Sequence, residues 1–306
     1  MNSKTLLYIL KRVLLALLTI WIVITVTFFA TRAVPSNPFV REGKMTEAQL
    51  KTKMAKYGLD KPLGEQYVEY LKGLVTKGDL GLSYTKENRQ VKDIIMDGMK
   101  TSLPLGLTAA AIATVFGIIL GASAALQRNK ILDKCIMVFT TAFVSMPSFI
   151  VGTVFLLLFS GVVSANGTTL DGLILPVITL ALYPMAYITR LTRSSMLDVL
   201  GQDYIRTARA KGVSGNKIIF GHALKNALIP VITYLGPMLA YIVTGSLVVE
   251  QIFAVPGVGR PFVNSITGRD YNLIMGTTIV LATLIVVMNL LSDIMYKIVD
   301  PRINLE

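Results

Sequence analysis

Long apolar runs separated by shorter polar stretches dominate the chain of 306 residues. Several runs reach about 18 residues or more, the length of helix that crosses a hydrocarbon layer of about 30 Å. A helix satisfies its backbone hydrogen bonds within itself, as that layer requires. We therefore predict an all-α polytopic membrane protein with six transmembrane helices, at 10–31, 102–126, 135–160, 172–192, 226–250 and 273–298.

A long polar stretch, 32–100, separates the first two predicted spans and has a helical pattern of its own. Thr46 is a suitable N-cap for a helix that ends at Gly58, and Pro62 suits the first turn of a second helix. This small helical segment is either a lid over the ends of the spans or a surface for an external partner. The predicted organisation is an N-terminal part, 1–100, followed by a membrane core, 101–306.

Composition supports the membrane assignment, since 53% of the residues are hydrophobic, 16% are charged and the mean hydropathy is +0.61. Soluble domains average about 25% charged residues. The formal net charge of +12 first suggests nucleic-acid binding. No basic and aromatic module accompanies the charge, which fits better with basic loops that face anionic lipid and the cytoplasm. We expect membrane lipid as a partner and no nucleic acid.

The distribution of lysine and arginine predicts the orientation of the chain in a bacterial or archaeal cell (inner) membrane. With the N-terminus inside, the basic residues of the short loops fall on the cytoplasmic side, except Arg260 and Arg269. Both termini are then cytoplasmic, and 32–100 is extracytoplasmic. The first apolar run is longer than the core of a secretory signal and lacks a suitable cleavage site, so we expect a retained helix.

Residues for catalysis and metal binding are scarce. The sequence has no G-x-x-x-x-G-K-[ST] motif for nucleotide phosphates, and His222 and Cys135 are its only histidine and cysteine. We therefore expect a transport subunit, not an enzyme, with no metal and no cofactor bound by this chain. Energy for transport must come from an ion gradient or from a partner. The carboxylates considered for ion coupling, Glu250 and Asp293, lie near predicted span ends, where we expect water to reach them.

A basic stretch, 203–225, lies between the fourth and fifth predicted spans. The residues YIRTARAK favour a helix, Gly212 suits the left-handed backbone that ends it, and Ser214 can cap a second helix. The apolar residues of that second helix do not suit a free loop, and the cations do not suit the bilayer interior. A short helix on the cytoplasmic face fits both, either docked on a protein partner or lying on anionic lipid.

This stretch resembles the cytoplasmic EAA loop of ABC importer permeases, in which E-A-A, three residues and a glycine are followed, after nine residues, by I-x-L-P. Gly212 matches the glycine, and Arg206, Thr207 and Ala208 occupy the E-A-A positions. Arg206 departs from the glutamate of that motif, and Lys225 replaces its proline. The form YIRTARAKGV is close to the loop of the B-type permease subunit of dipeptide, oligopeptide and nickel importers.

Three further stretches resemble the same subunit: 56–84, SMPSFIVG at 145–152, and VVEQIFAVPGVGR at 248–260. The resemblance covers nearly the whole chain and implies a type I ABC importer permease. It implies a transmembrane heterodimer with a similar C-type permease. Two cytoplasmic ATPase subunits would bind ATP and Mg, and an extracytoplasmic solute-binding protein would deliver the solute.

By this resemblance the cytoplasmic stretch 193–225 is the coupling loop to the ATPase. Its expected contact residues are Tyr204, Arg206, Thr207, Ala208, Gly212, Val213, Ser214 and Ile219. On the outer side, an expected gate or receptor contact consists of Glu250, Pro256, Gly257 and Gly259. The alternative for these outer residues is a turn that re-enters the membrane.

The solute implied by the resemblance is a di- or oligopeptide, and a nickel chelate is the nearest alternative within the family. Two alternatives come from other classes: an ion-coupled secondary transporter, and a membrane-anchored receptor or scaffold without transport. A secondary transporter would work alone in a proteoliposome. A scaffold would show no flux under any condition.

Overall fold

The computed structural model describes residues 3–34, 38–39, 46–159 and 170–299. Within these ranges the chain is helical, and the β pairing there is an isolated bridge between Leu82 and Gln90. A π-helical segment, Lys217–Ala223, lies between α8 and α9. The helices are α1 (Ser3–Ala33), α2 (Glu47–Lys56), α3 (Leu63–Lys77), α4 (Val91–Leu126), α5 (Ile131–Ser145), α6 (Ser148–Phe159), α7 (Leu170–Leu200), α8 (Asp203–Ala210), α9 (Leu224–Ala227), α10 (Ile229–Ile252), α11 (Gly259–Gly268) and α12 (Tyr271–Val299).

Four of these helices, α1, α4, α7 and α12, contain stretches that are long and apolar enough to cross a membrane. Two bent pairs also qualify when each pair is taken together. Helices α5 and α6 meet at 106°, and Lys217–Ala227 meets Ile229–Val243 at 46°. Counting each pair as one span gives six, which confirms the predicted all-α polytopic fold.

Several predicted spans differ in detail from the helices that form: the second, 102–126, is the end of the longer helix α4 (Val91–Leu126), and the fifth, 226–250, contains the 46° bend before Ile229. The third, 135–160, is broken because Met146 is extended (φ −90°, ψ 127°) between α5 and α6. Pro147 accounts for the break, since proline disfavours the helical conformation in the residue before it. The fourth, 172–192, stops short of the helix end, because Arg193 ends the apolar run whereas α7 continues to Leu200.

The chain folds as two compact units. The first combines Met1–Ser102 with Pro256–Val286, and the second combines Leu103–Val255 with Val287–Glu306. Helices α4 and α12 each contribute one part to each unit. The first unit therefore contains a late stretch of the chain that the predicted division at 100/101 leaves in the core.

The first unit contains the predicted small helical segment. Thr46 caps α2 through a capping box: its Oγ1 accepts from the Gln49 N–H (3.4 Å), and Gln49 Oε1 accepts from the Thr46 N–H (3.0 Å). Gly58 follows the helix with φ +66°, and α3 begins directly after Pro62. These caps are the ones that the sequence predicts.

The core of the first unit joins this segment to α1 and to parts of α4 and α12. Phe28 of α1 is fully buried, and its ring meets Tyr67 of α3 edge-on at 5.2 Å between centroids. The Arg32 guanidinium lies 3.6 Å from the centre of the Phe28 ring and donates to Gln66 Oε1 at 3.0 Å. Val91 of α4 and Met275 of α12 belong to the same buried cluster.

In the second unit α7 is the central helix and packs against α5, α6 and α10. The part of α4 in this unit approaches α7 closely at Gly117 and Gly121. A Cβ atom at Gly121 would lie 2.5 Å from the Thr189 carbonyl oxygen, and one at Gly117 would lie 2.7 Å from Ile188. Only glycine fits such an approach, and the G-x-x-x-G spacing places both glycines on one helix face.

Candidate functional site

The basic stretch after α7 begins with the amphipathic helix α8. Ile205 is fully buried and fixes the inner face of this helix. On the outer face Arg206 and Thr207 are exposed, and Tyr204 is 44% exposed. The Tyr204 hydroxyl accepts a hydrogen bond from Asn226 Nδ2 at 2.9 Å, which ties α8 to α9.

The end of α8 is fixed by its backbone. Gly212 has φ +74°, the left-handed conformation that the sequence predicts for it. The Val213 N–H donates to the Ala208 carbonyl (3.1 Å), and the Gly212 N–H donates to the Arg209 carbonyl (3.0 Å). These two bonds form a Schellman cap. The direction in which the chain leaves α8 is therefore rigidly set.

The second helix of this stretch starts after Ser214, whose carbonyl accepts from the Ile218 N–H at 3.0 Å. It continues as the π-helical segment, where the sequence predicts an ordinary α-helix. π-Helical turns are rare, and those that do occur often lie at functional sites. Ile218 is buried, Ile219 is half-buried, and Phe220 is 68% exposed.

A small apolar cluster holds the π-helical segment and α9 on the second unit. Met196 of α7 and Ala125 of α4 are buried in it with Ala223 and Ala227. Ile219 packs against this cluster. The base of the stretch is therefore anchored, while its outer face is left for other contacts.

The eight residues predicted as ATPase contacts lie together in this stretch, but their exposure differs. Ala208, Val213 and Ile219 are half-buried, whereas the exposed ones are Tyr204, Arg206, Thr207, Gly212 and Ser214. Phe220 is more exposed than Tyr204 and is absent from the predicted set. An aromatic residue among lysines in a loop was a signal that could have identified it.

The exposed face of this stretch is basic. Its exposed cations are Arg206, Arg209, Lys211, Lys217 and Lys225. Asp203 is the acidic residue of the stretch, and it lies 3.5 Å from Arg206 in a fully accessible pair. Such a pair contributes little to stability. The surface therefore suits an acidic partner surface or anionic lipid.

A second candidate site lies in the first unit. Pro256 and Gly257 line a cavity of about 510 Å³, and the helix that begins at Gly259 borders it. The charged residues that line the cavity are Lys86, Arg89, Asp97 and Arg260. Arg89 Nη2 contacts Asp97 Oδ2 at 2.8 Å. The Ser102 hydroxyl accepts from the Val258 N–H (2.9 Å), which fixes the loop beside the cavity.

Glu250 is not among the residues that line this cavity. It belongs to the second unit, where its side chain is fully buried, and its carbonyl accepts from the Val255 N–H at 2.9 Å. The expectation that water reaches Glu250 at a helix end is therefore wrong. Asp293 is half-buried on α12. Within the described residues no group of three His, Cys, Asp or Glu side chains is placed to hold a metal ion.

Asp270, which is not among the predicted site residues, organises the first unit. Its Oδ2 accepts from the Tyr84 N–H (2.9 Å) and the Ser83 hydroxyl (2.5 Å), and also from Thr85. Its Oδ1 accepts from the Leu273 N–H (3.1 Å), as an N-cap of α12 does. Burial raises the pKa of Tyr84 beside it. The sequence signal for this role was an Asp directly before an apolar helical run, which is typical of a helix N-cap.

These features define a polytopic α-helical membrane protein with an anchored, basic helical stretch after α7. Comparison with known proteins gives the family. Residues 100–305 match the family described as "Binding-protein-dependent transport system inner membrane component", and residues 5–106 match the N-terminal region of such membrane components. The chain belongs to the binding-protein-dependent transport system inner membrane component family.

Relatives match over nearly the full length. The dipeptide transport system permease protein DppB of Bacillus subtilis is 45% identical over 302 residues, covering 97% of this chain and 98% of the relative. The oligopeptide transport system permease protein OppB of Haemophilus influenzae is 43% identical over 303 residues, covering 97% and 99%.

Solved structures of ABC transporters share the fold. An inward-facing form of the MetNI methionine ABC transporter has a TM-score of 0.58 at 19% identity and covers 68% of this chain and 96% of its own. An amino acid ABC transporter solved with histidines has a TM-score of 0.53 at 17% identity, covering 69% and 95%. The fold is therefore that of an ABC transporter membrane subunit.

Proposed function

We propose that this chain is a permease subunit of an ATP-driven importer of di- or oligopeptides. The observation that carries the proposal is the match of 97% of the chain to permeases named for dipeptide or oligopeptide transport. A second, homologous C-type permease would complete the translocation path. The chain itself is the transport subunit, and ATP and Mg bind to partner subunits.

The coupling to those partners would run through the stretch 203–225. Its exposed face carries Tyr204 and Phe220 among cations, and aromatic residues with arginine are the usual anchors of protein interfaces. The Schellman cap at Gly212 and the buried Ile205 make the stretch rigid. A rigid, anchored element transmits a displacement, whereas a flexible loop absorbs it.

ATP would then act as the ligand that selects between two states. A ligand shifts such an equilibrium only by the difference in its affinity for the two states. Closure of the two ATPase subunits around ATP would move the docked stretch and α7 with it. The contact set is the predicted one, Tyr204, Arg206, Thr207, Ala208, Gly212, Val213, Ser214 and Ile219, with Phe220 added.

An extracytoplasmic solute-binding protein would dock on the first unit. The cavity beside Pro256 and Gly257 has Lys86, Arg89 and Arg260 in its lining, with Asp97 as its acidic residue. This excess of cations suits an acidic residue of the receptor. Gly259, at the start of α11, belongs to the same loop. Glu250, which is buried, would act as part of an outer gate without touching the receptor.

The orientation follows from the positive-inside rule, with both termini and the stretch 203–225 in the cytoplasm of a bacterial or archaeal cell. The small helical segment α2–α3 and the cavity would then face outward. In this orientation the ATPase contact would be cytoplasmic and the receptor contact extracytoplasmic, as an importer requires.

Uptake by cells tests the function directly. A strain that lacks this gene should lose uptake of a labelled dipeptide or tripeptide and regain it from a plasmid copy. Loss of nickel uptake with peptide uptake intact would assign the chelate instead. Unchanged uptake of both solutes would contradict the importer proposal, provided that no second peptide importer is present in the strain.

A further inference from the structure

Four tyrosines form two stacked pairs between α7 and α10 in the second unit. The ring centroids of Tyr183 and Tyr241 lie 4.8 Å apart, and those of Tyr187 and Tyr234 lie 4.4 Å apart. The interplanar angles are 34° and 33°. Tyr183 and Tyr187 are one turn apart on α7 and therefore share a face. We call these four residues the tyrosine ladder.

The tyrosine ladder lies near the middle of two membrane helices. Tyr187 is near the midpoint of the candidate span Gly172–Leu200, and Tyr241 is near the midpoint of α10. Tyrosines in membrane proteins concentrate at the two interfaces, where the hydroxyl reaches water. Phenol groups at mid-depth therefore require another polar neighbour.

The Tyr241 hydroxyl finds such a neighbour in Ser148, but for Tyr187 and Tyr234 the described part of this chain supplies none. Tyr187 is 39% exposed, and Tyr234 is half-buried. Among the described residues none makes a hydrogen bond to either hydroxyl. Acyl chains offer no hydrogen-bond partner, and burying a hydroxyl without one is unfavourable. Polar side chains at this depth face a bundle interior or a water-filled cavity.

We infer that the tyrosine ladder lines the translocation path and binds the main chain of the transported peptide. This inference rests on the proposed function. A peptide presents N–H and C=O groups whatever its sequence, and a phenol hydroxyl both donates and accepts. The ring faces accept apolar and cationic side chains. Such a surface selects for a peptide without selecting for one particular sequence.

Thiol accessibility in the assembled transporter tests the inference. Cys135, the only cysteine of the chain, is first replaced by Cys135→Ser. Tyr187→Cys and Tyr234→Cys are then compared with Ile178→Cys, which is a matched control on the same helix. Ile178 is 38% exposed and lies about two and a half turns before Tyr187, on the opposite face of α7. The reagent is a charged, membrane-impermeant methanethiosulfonate.

Tyr187→Cys and Tyr234→Cys should react at least tenfold faster than Ile178→Cys, and a saturating neutral dipeptide should slow both reactions. Equal rates at positions 187 and 178 would overturn the inference, because the ladder would then face lipid or protein. Fast reaction without protection by the dipeptide would overturn the peptide contact. The rates are read without transport, so they are independent of whether the wild-type complex imports peptide.

The hydroxyl groups are tested separately by Tyr234→Phe, which keeps the ring. Loss of one hydrogen bond should raise the KM for dipeptide uptake about two- to tenfold. An unchanged KM would contradict a role for the hydroxyl. A wild-type complex that imports no peptide at all would instead contradict the proposed function.

Discussion

Arg193 donates two hydrogen bonds to Asp133, from Nε to Oδ1 at 2.6 Å and from Nη2 to Oδ2 at 2.8 Å. Oδ2 also accepts from the Asn129 N–H at 2.9 Å. The pair joins the start of α5 to the part of α7 that leads into the stretch 203–225. The Asp133 side chain is 4% exposed and that of Arg193 is 22% exposed, so solvent screens the pair only weakly.

Removal of one partner of this ion pair should be strongly destabilising. Asp133→Ala removes both hydrogen bonds and leaves the half-buried guanidinium without its counter-ion, which costs about 2–3 kcal/mol. The double variant Asp133→Ala with Arg193→Met should recover part of that loss. Thermal denaturation in detergent measures both effects.

An exposed ion pair provides the control for this prediction. Lys61 and Glu69 are 41% and 58% exposed in the first unit. Lys61→Ala should leave the free energy of unfolding nearly unchanged, because solvent screens an exposed pair. If Asp133→Ala lowers the Tm by no more than Lys61→Ala does, the buried pair does not hold α5 to α7.

Gly121 should not tolerate even a methyl group. A Cβ atom there meets the Thr189 carbonyl at 2.5 Å and Thr192 Cβ at 2.6 Å, so Gly121→Ala must move α4 away from α7. We expect a loss of about 1–3 kcal/mol, the usual cost of overpacking. Gly64→Ala is the matched control on α3, where a Cβ meets nothing within 4 Å. The Tm should fall for Gly121→Ala and stay level or rise for Gly64→Ala, and equal shifts would refute the close approach.

Gly212 should be required for its backbone conformation, and not because a side chain would clash with a neighbour. Nothing lies within 4 Å of a Cβ at this position, but φ is +74°. Gly212→Val places a β-branched residue in the left-handed region, at a cost of about 1–2 kcal/mol, and should disrupt the cap. Peptide uptake should be lost while the complex still assembles and binds its solute. Gly212→Asn is the control, since asparagine adopts this conformation more readily, and it should retain most uptake. Equal uptake by both variants would remove the rigid-cap argument.

Phe220 should anchor the ATPase. Phe220→Asp places a carboxylate on an exposed aromatic position, and loss of an interface anchor of 2 kcal/mol or more raises the Kd by about 30-fold or more. Co-purification of the ATPase subunits from detergent measures the effect. Val75→Asp, at a position that is 81% exposed on α3, controls for the introduced charge and should leave co-purification intact. Equal retention of the ATPase by both variants would place the contact elsewhere.

The parts of the fold that depend on local chemistry could be predicted from the sequence. The caps at Thr46 and Gly212 depend on one side chain or one backbone angle, and both are found as predicted. The ends of the membrane helices could be predicted less well. The apolar run stops at the charged residues near Arg193, whereas the hydrogen bonds of α7 continue, so hydropathy marks a membrane boundary and not a helix end.

The remaining features arise from packing between distant residues. Asp270 accepts hydrogen bonds from residues 83–85, which lie far away in the sequence. Hydrophobic periodicity carries no information on that contact. Nor does the periodicity predict the π-helical form of Lys217–Ala223, in which Ile218 and Ala223 are buried. The burial of Glu250 also follows from neighbours that the local sequence does not reveal.

The most direct test of the account is peptide uptake into proteoliposomes that contain this chain, its permease partner and the two ATPase subunits, with the receptor outside. The account predicts uptake only when ATP is present on the ATPase side, and none when the ATPase subunits are omitted. Uptake by the permeases alone, driven by a proton or sodium gradient, would contradict it. Glu250 and Asp293 would then be the residues to examine as ion sites.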